Sequence, residues 1–389
     1  MVDCNHFYNI SARLCRIFNN DGQPFGGKNM IFAGDFAQLE PPGSGYSLYS
    51  SKVSSTRHTT GSWRQQEASL GKATWHQVIT VVILWQNMRQ KSQTVDDVKF
   101  RKLLENLRYK ACTMADVNFL KARVAGRSKG KPHLSDPNFR NVSMILSYNS
   151  HRDKINELGA ARFAKDTGQT LHTFYSSDHF ASPDEMNGKK KGKRHAEVKH
   201  NMDTIHPHLQ EQLWALPHKD TNNHPGKLSL CVGLPVMIKA NEATECNVTN
   251  GAEAVVVGWE SSPLTKDKKM LEVVFVKLTA SPTLIKLDGL PDNVVPIAAH
   301  NMKISCLMPN DHTLSIHRNQ VPLIPNFAMT DFSSQGRTRP HNVIDLQNCR
   351  NHQSVYTCLS RGSTYQGTII VQGFDHSKFM GGLTGWLRQ

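Results

Sequence analysis

Apolar positions along the chain follow two rhythms, and the places where one gives way to the other mark its organisation. Residues 29–33 (NMIFA) form a short apolar run that stops at Gly34-Asp35, the pattern of a parallel strand buried on both faces and ending at the carboxyl edge of a sheet. Between 94 and 125 the spacing becomes helical. Phe100, Leu103, Leu104 and Leu107 fall on one face, and Thr113 with Asp116 ahead of Val117 and Leu120 signals the start of a second helix. Residues 142–148 (VSMILSY) return to a strand pattern, and Asn149-Ser150 then opens a helix carrying Ile155 and Leu158. From about 176 to 227 periodicity weakens into a stretch rich in histidine, proline and lysine, which predicts a long loop or inserted segment. Short β-rich runs follow at 234–238, 253–259 and 271–278, with Asn250-Gly251 as a turn signal, and predict a small β-barrel insertion. Residues 341–346 (HNVIDL) and 367–374 (GTIIVQGF) restore the α/β pattern, with a helix holding Tyr356 to Arg361 between them. The expected class is α/β, and no internal repeat is present.

Composition narrows the functional classes. The 389 residues are 38% hydrophobic and 20% charged, enough to bury more than one core. Lysine and arginine outnumber aspartate and glutamate by 46 to 32, so the net charge is +14, and a cationic surface draws polyanions by releasing their counterions. Nucleic acid is therefore the favoured partner class. The eight cysteines are scattered with no C-x-x-C pair, which suits a reducing compartment better than a disulfide or zinc framework. No run reaches the length of a membrane span and no signal peptide opens the chain, so an intracellular, membrane-free protein is expected, with no metal bound by its own residues. The run KKKGKR at 189–194 is a solvated loop, a nucleic-acid patch or a nuclear localisation signal, and on the last reading a nuclear location is expected.

The most specific segment is PFGGKNMIFAGDFAQLEPP, residues 24–42. It resembles the third motif of superfamily 1 DNA helicases of the PIF (petite integration frequency) family, G-G-K-x-x-I-F-x-G-D-F-x-Q-L-P-P, and departs from it at Glu40 and Pro42. Four further segments agree with that family in order. LWQNMRQ (84–90) resembles the fourth motif. GLPVMIKANEATECNVTNGAEAVVVGW (233–259) is similar to a stretch of the inserted barrel, and RNQVPLIPNFAMTDFSSQGRT (318–338) resembles the fifth motif. YTCLSRG (356–362) resembles the sixth, Y-V-A-L-S-R-A.

The resemblance implies RecA-like helicase domains, the first truncated, with a small β-barrel inserted in the second. The corresponding boundaries are 1–78 for the first domain, 79–175 with 323–389 for the second, and 176–322 for the inserted loop and barrel. It implies an ATP-dependent 5′-to-3′ DNA helicase using ATP and Mg2+, acting as a monomer on single-stranded DNA, of cellular or Helitron-like transposon origin. Carried over residue by residue, Asp35 and Gln38 sense the nucleotide phosphate, Arg89 reaches the γ-phosphate and Arg361 is the arginine finger. Gln38, Arg89, Gly336 and Arg361 would meet the nucleotide, and Thr330, Ser334 and Gln335 the DNA. Phosphoryl transfer depends on positioning and on charge set against the γ-phosphate, a task that suits guanidinium groups.

One part of that machinery has no counterpart. The nearest approach to a phosphate loop, GQPFGGKN (22–29), ends in Asn29 rather than a hydroxyl residue and precedes a predicted strand where a helix is required, so it is read as a decoy. In the family the magnesium-binding D-E-[IV]-S-M sits immediately before the equivalent of Met1, so those carboxylates are expected upstream. The chain alone is then expected to be inactive. Two other readings stay open: a non-catalytic nucleic-acid-binding remnant, and a basic scaffold protein.

Overall fold

Local sequence signals account directly for the helices. The computed structural model describes residues 1–43, 45–53, 62–128, 130–180, 205–281, 283–308 and 313–383, and KKKGKR falls outside them. Helix Val95–Arg108 starts where the Thr94 hydroxyl accepts the Asp97 amide, carries Asp96 and Asp97 in its first turn and Arg108 in its last, and buries Phe100, Leu103, Leu104 and Leu107 as their spacing predicts. Thr113 and Asp116 form the expected capping box of helix Met114–Lys121. Helix Asn149–Asp166 also forms, but its buried face is Arg152, Asn156, Gly159, Ala160 and Ala164. Leu158, expected inside, is 57% exposed, because the small residues face the core and let the helix approach its neighbour closely. A Cβ on Gly159 would lie 2.5 Å from the Phe327 ring, so only glycine fits there.

The chain divides into two compact units. The first joins Met1–Phe139 to Ser334–Gln389. It contains helices Cys4–Phe18 and Trp63–Trp75, the capped pair just described, and strands Asn342–Ile344 and Thr368–Ile370, which pair in parallel. Helix His352–Leu359 connects those strands and buries every one of its side chains. It stops short of the sequence expectation: Ser360 is its C-cap, so Arg361 lies just beyond the helix.

The second unit is Arg140–Ser333. Met144–Leu146 pairs in parallel with Ala328–Thr330. Asn156 pins its helix to that strand pair by accepting the amides of Phe327 and Ala328 and donating to the Ala328 carbonyl. Where the sequence predicts a barrel, five strands form one antiparallel-paired sheet in the order Leu323–Pro325, Pro235–Ile238, Glu253–Pro263, Lys269–Leu278, Val294–Ala298. A second antiparallel sheet contains Ser177–Phe180, Thr313–Gln320 and His300–Leu307. On its facing strands Arg318 and Asp178 stand opposite each other, fully buried, in a bidentate ion pair with both N–O distances 2.8 Å. A pair so placed is held by its geometry and by further bonds from Arg318 to the His224 and Leu213 carbonyls.

One strand expectation fails. Residues 29–33 are not in a ladder, and Ile31 is 96% exposed. A strand read from a continuous apolar run needs neighbours on both edges, and no described residue pairs with this one. The same is true of the apolar run 79–85, where Ile79, Val81, Val82, Ile83, Leu84 and Trp85 are all exposed.

Candidate functional site

Asp35, Gln38, Arg89 and Arg361 all lie in the first unit. Asp35 opens a turn in which its carbonyl accepts the Gln38 amide, its Oδ1 accepts the Ala37 amide at 3.0 Å, and its Oδ2 accepts the Gln38 side-chain amide at 3.2 Å. Short polar side chains hold turns in this way, so the local chemistry of Gly-Asp-Phe-Ala-Gln is self-sufficient even though the strand before it is unpaired.

The carboxylate has a further partner that no motif indicates. The Arg108 guanidinium meets Asp35 in a fork, Nη2 to Oδ1 at 3.0 Å and Nη1 to Oδ2 at 3.1 Å, and the Tyr356 hydroxyl donates to Oδ2 at 3.4 Å. Burial acts to lower the Arg108 pKa, but the Asp35 carboxylate and the Tyr356 hydroxyl together outweigh it and raise it. The Tyr356 phenol is pushed up by burial first and then by the same carboxylate. Asp35 is thus saturated as an acceptor. In this arrangement it organises its neighbours, whereas the resemblance has it meet a phosphate itself. Arg108 sits 73 residues from Asp35 in sequence at the end of an ordinary capped helix, so only the fold reveals the pairing.

Arg89 and Arg361 form the cationic part of the site. Arg89 donates from Nε to the Thr338 hydroxyl at 3.0 Å and from Nη1 to the Ser360 carbonyl at 2.8 Å. Arg361 is 1% exposed; its Nε donates to the Thr357 carbonyl and its Nη2 to the Ser360 hydroxyl, while Nη1 is buried with no hydrogen-bond partner. Burial, and then repulsion from Arg89, push the Arg361 pKa down to about 10, and burial also lowers that of Arg89. A buried guanidinium whose charge is disfavoured by a neighbouring one, and which holds an unsatisfied buried N–H, forms an arrangement that an anion would relieve. The donor set therefore fits a phosphate.

It does not fit magnesium. Asp35, the carboxylate that both arginines feel, is taken up by Arg108, and no group of His, Cys, Asp or Glu able to hold a metal occurs among the described residues. The GQPFGGKN segment forms a four-residue 3-10 turn at Pro24–Gly27, no helix follows it, and the Lys28 ammonium sits over the Phe18 ring at 4.2 Å.

The residues expected at DNA are divided between the units. In the second, Thr330 is buried and its hydroxyl faces that of Ser333 at 3.1 Å, at the end of the strand that Asn156 anchors. In the first, Ser334 is buried, Gln335 half-buried and Gly336 exposed at φ 79°, the left-handed conformation that glycine adopts without strain.

No protein-family model matches the sequence. Among curated proteins the ATP-dependent DNA helicase PIF1 of Emericella nidulans is 23% identical over 399 aligned residues, covering 98% of this chain and 46% of that protein. The chain spans about half the length of the curated relative it matches. Among solved structures, the Pif1 helicase of Candida albicans superposes with a TM-score of 0.60 at 19% identity, over 100% of this chain and 74% of that one. Bacteroides Pif1 bound to single-stranded DNA gives 0.59 at 16%, over 100% and 71%. The Bacteroides enzyme with ADP-AlF3 and single-stranded DNA gives 0.58 at 17%, over 98% and 70%. Across nearly its whole length the chain is thus similar in sequence to a Pif1 helicase, and it shares the RecA-like α/β fold of the Pif1 helicase structures.

Proposed function

We propose that this chain supplies the arginine-bearing and DNA-facing parts of an ATP-dependent 5′-to-3′ DNA helicase of Pif1 type, and that it is inactive by itself. The observation that carries the reading is the pairing of Arg361, buried with a free Nη1, with Arg89. Guanidinium groups set against a γ-phosphate stabilise the charge that spreads over it during transfer, and such fingers contribute about 10³ to 10⁵ in rate in related hydrolases. Magnesium, when bound, would supply charge neutralisation at the phosphates, a role for which no cluster of ligands occurs among the described residues. The domains of the helicase would follow the boundaries 1–78, 79–175 with 323–389, and 176–322. Thr330, Ser334 and Gln335 would contact single-stranded DNA, the partner in two of the similar structures. A nuclear location rests on KKKGKR and is tested by imaging a fluorescent fusion with and without that run.

Inactivity follows from positioning. A finger acts on a phosphate that something else holds, and here Lys28 is stacked on Phe18. Phosphate release with and without single-stranded DNA should be at background for this chain. Robust turnover that is lost in Lys28→Ala would establish GQPFGGKN as a phosphate loop and overturn this reading. With the phosphate-loop half of a Pif1 helicase fused in front, activity should appear, and Arg361→Ala should lower kcat by about 10³ or more. The alternative, a nucleic-acid-binding remnant, is favoured by the saturation of Asp35, and it predicts that the fusion stays inactive while DNA binding persists.

A further inference from the structure

Cys349 and Cys358 lie on either side of the N-cap of helix His352–Leu359, and their sulfurs are 3.9 Å apart in the buried interior of the first unit. Cys4, Cys15, Cys112 and Cys349 each direct a thiol at a backbone carbonyl, and Cys349 in addition faces the Cys358 sulfur. Cys358 stands where the Y-V-A-L-S-R-A pattern has alanine. Closure to a disulfide bond of about 2.05 Å requires the sulfurs to move by about 1.9 Å in total, within reach of side-chain rotation and a small loop shift.

The position has consequences for the arginine site. The Arg361 amide donates to the Cys358 carbonyl at 3.4 Å, and its Nε donates to the carbonyl of Thr357, so the last turn of the helix forms its scaffold. Cys349 belongs to the preceding loop, where its thiol donates to the Asp345 carbonyl at 3.5 Å. A covalent link between them would fasten that loop to the turn that holds the guanidinium.

We propose that Cys349 and Cys358 form a dithiol–disulfide pair that a peroxide oxidises reversibly, restraining the turn that carries Arg361. One thiol attacks the peroxide, its sulfur being oxidised to a sulfenic acid as the O–O bond breaks and one water leaves. The second thiol then displaces the sulfenic oxygen as a second water, forming the S–S bond. A small dithiol returns both cysteines to thiols by exchange. Both sulfurs are buried, so reaction waits on local opening, and the pair stays reduced until an oxidant is present in excess.

The test uses the full chain, reduced, desalted and treated with hydrogen peroxide, then alkylated and mapped by mass spectrometry. The expected product is a linked fragment pair containing Cys349 and Cys358, lighter by two hydrogens and restored by dithiothreitol. It should be absent in Cys358→Ala and in Cys349→Ser. Hydrogen exchange over 352–361 should slow severalfold on oxidation of the wild-type chain and stay unchanged in Cys358→Ala, which the alanine of the pattern suggests will fold. Peroxide treatment that leaves both thiols alkylatable, or that links either to a different cysteine, overturns the pairing. A link that forms without any slowing of exchange overturns the restraint.

Discussion

Asp35 is surrounded by five donors, and its environment defines what single substitutions should do. Its fork with Arg108 is half-exposed, so each charge keeps part of its water and the pair is worth only about 1 kcal/mol. A double-mutant cycle of Asp35→Asn and Arg108→Ala, followed by urea unfolding, should return a coupling of about that size, and additivity would mean that the fork holds nothing. His224 offers a second test. Burial, and to a lesser extent the charge of Arg318, hold its imidazole neutral, with its pKa down to about 4, while Nε2 reaches the His300 carbonyl at 3.3 Å. As pH falls through 6.5 the unfolded chain protonates this histidine and the folded one does not, so the unfolded state binds more protons. Stability from His224 is therefore complete above pH 6.5 and is lost progressively down to about pH 4, by at most about 1.4 kcal/mol per pH unit. Urea midpoints at pH 7 and pH 5 should converge in His224→Gln relative to wild type; an unchanged gap would assign the loss to other groups.

Elements that depend on their own residues were legible, and elements that depend on distant ones were not. The cap at Thr113 is legible from spacing alone, because a hydroxyl and an amide three residues apart need no tertiary contact. Thr113→Ala should cost about 1 kcal/mol, measurable as a lower thermal midpoint. Residues 29–33 carry a strand pattern without a ladder, because pairing is supplied by other segments and an apolar run holds no sign of whether they are there. Arg361 could be placed by its motif, yet its orphaned Nη1 and its neighbour Arg89 emerge only from packing. Arg108 carried no signal at all. The run 79–85 makes the physical cost visible: Leu84 is 89% exposed among five other exposed apolar residues, with no ladder pairing among the described residues. Such a run is a template for aggregation. Replacing Val82 and Leu84 with lysine should reduce binding of an apolar dye and raise the temperature at which the protein scatters light, and unchanged behaviour would mean that the run is covered in solution.

At the scale of the molecule, charge dominates encounter with nucleic acid. With a net charge of +14, affinity for single-stranded DNA should fall with salt, each neutralised phosphate adding about −0.7 to the slope of log affinity against log salt concentration. Fluorescence titration at several salt concentrations tests this, and affinity indifferent to salt would rule out phosphate contacts as its source. The division of the chain has a different consequence, in the timing of synthesis. The first unit is assembled from both ends of the polypeptide, with Gln353 bonded to the Phe36 carbonyl and His352 to that of Leu107, while the second occupies the middle. During translation residues 1–139 must wait, with their apolar surface unburied, until everything through strand Thr368–Ile370 has left the ribosome, whereas Arg140–Ser333 can close first. Nascent chains halted after residue 333 should therefore resist protease within 140–333 and be cut within 1–139, so that folding of 1–139 waits on residues made some two hundred positions later.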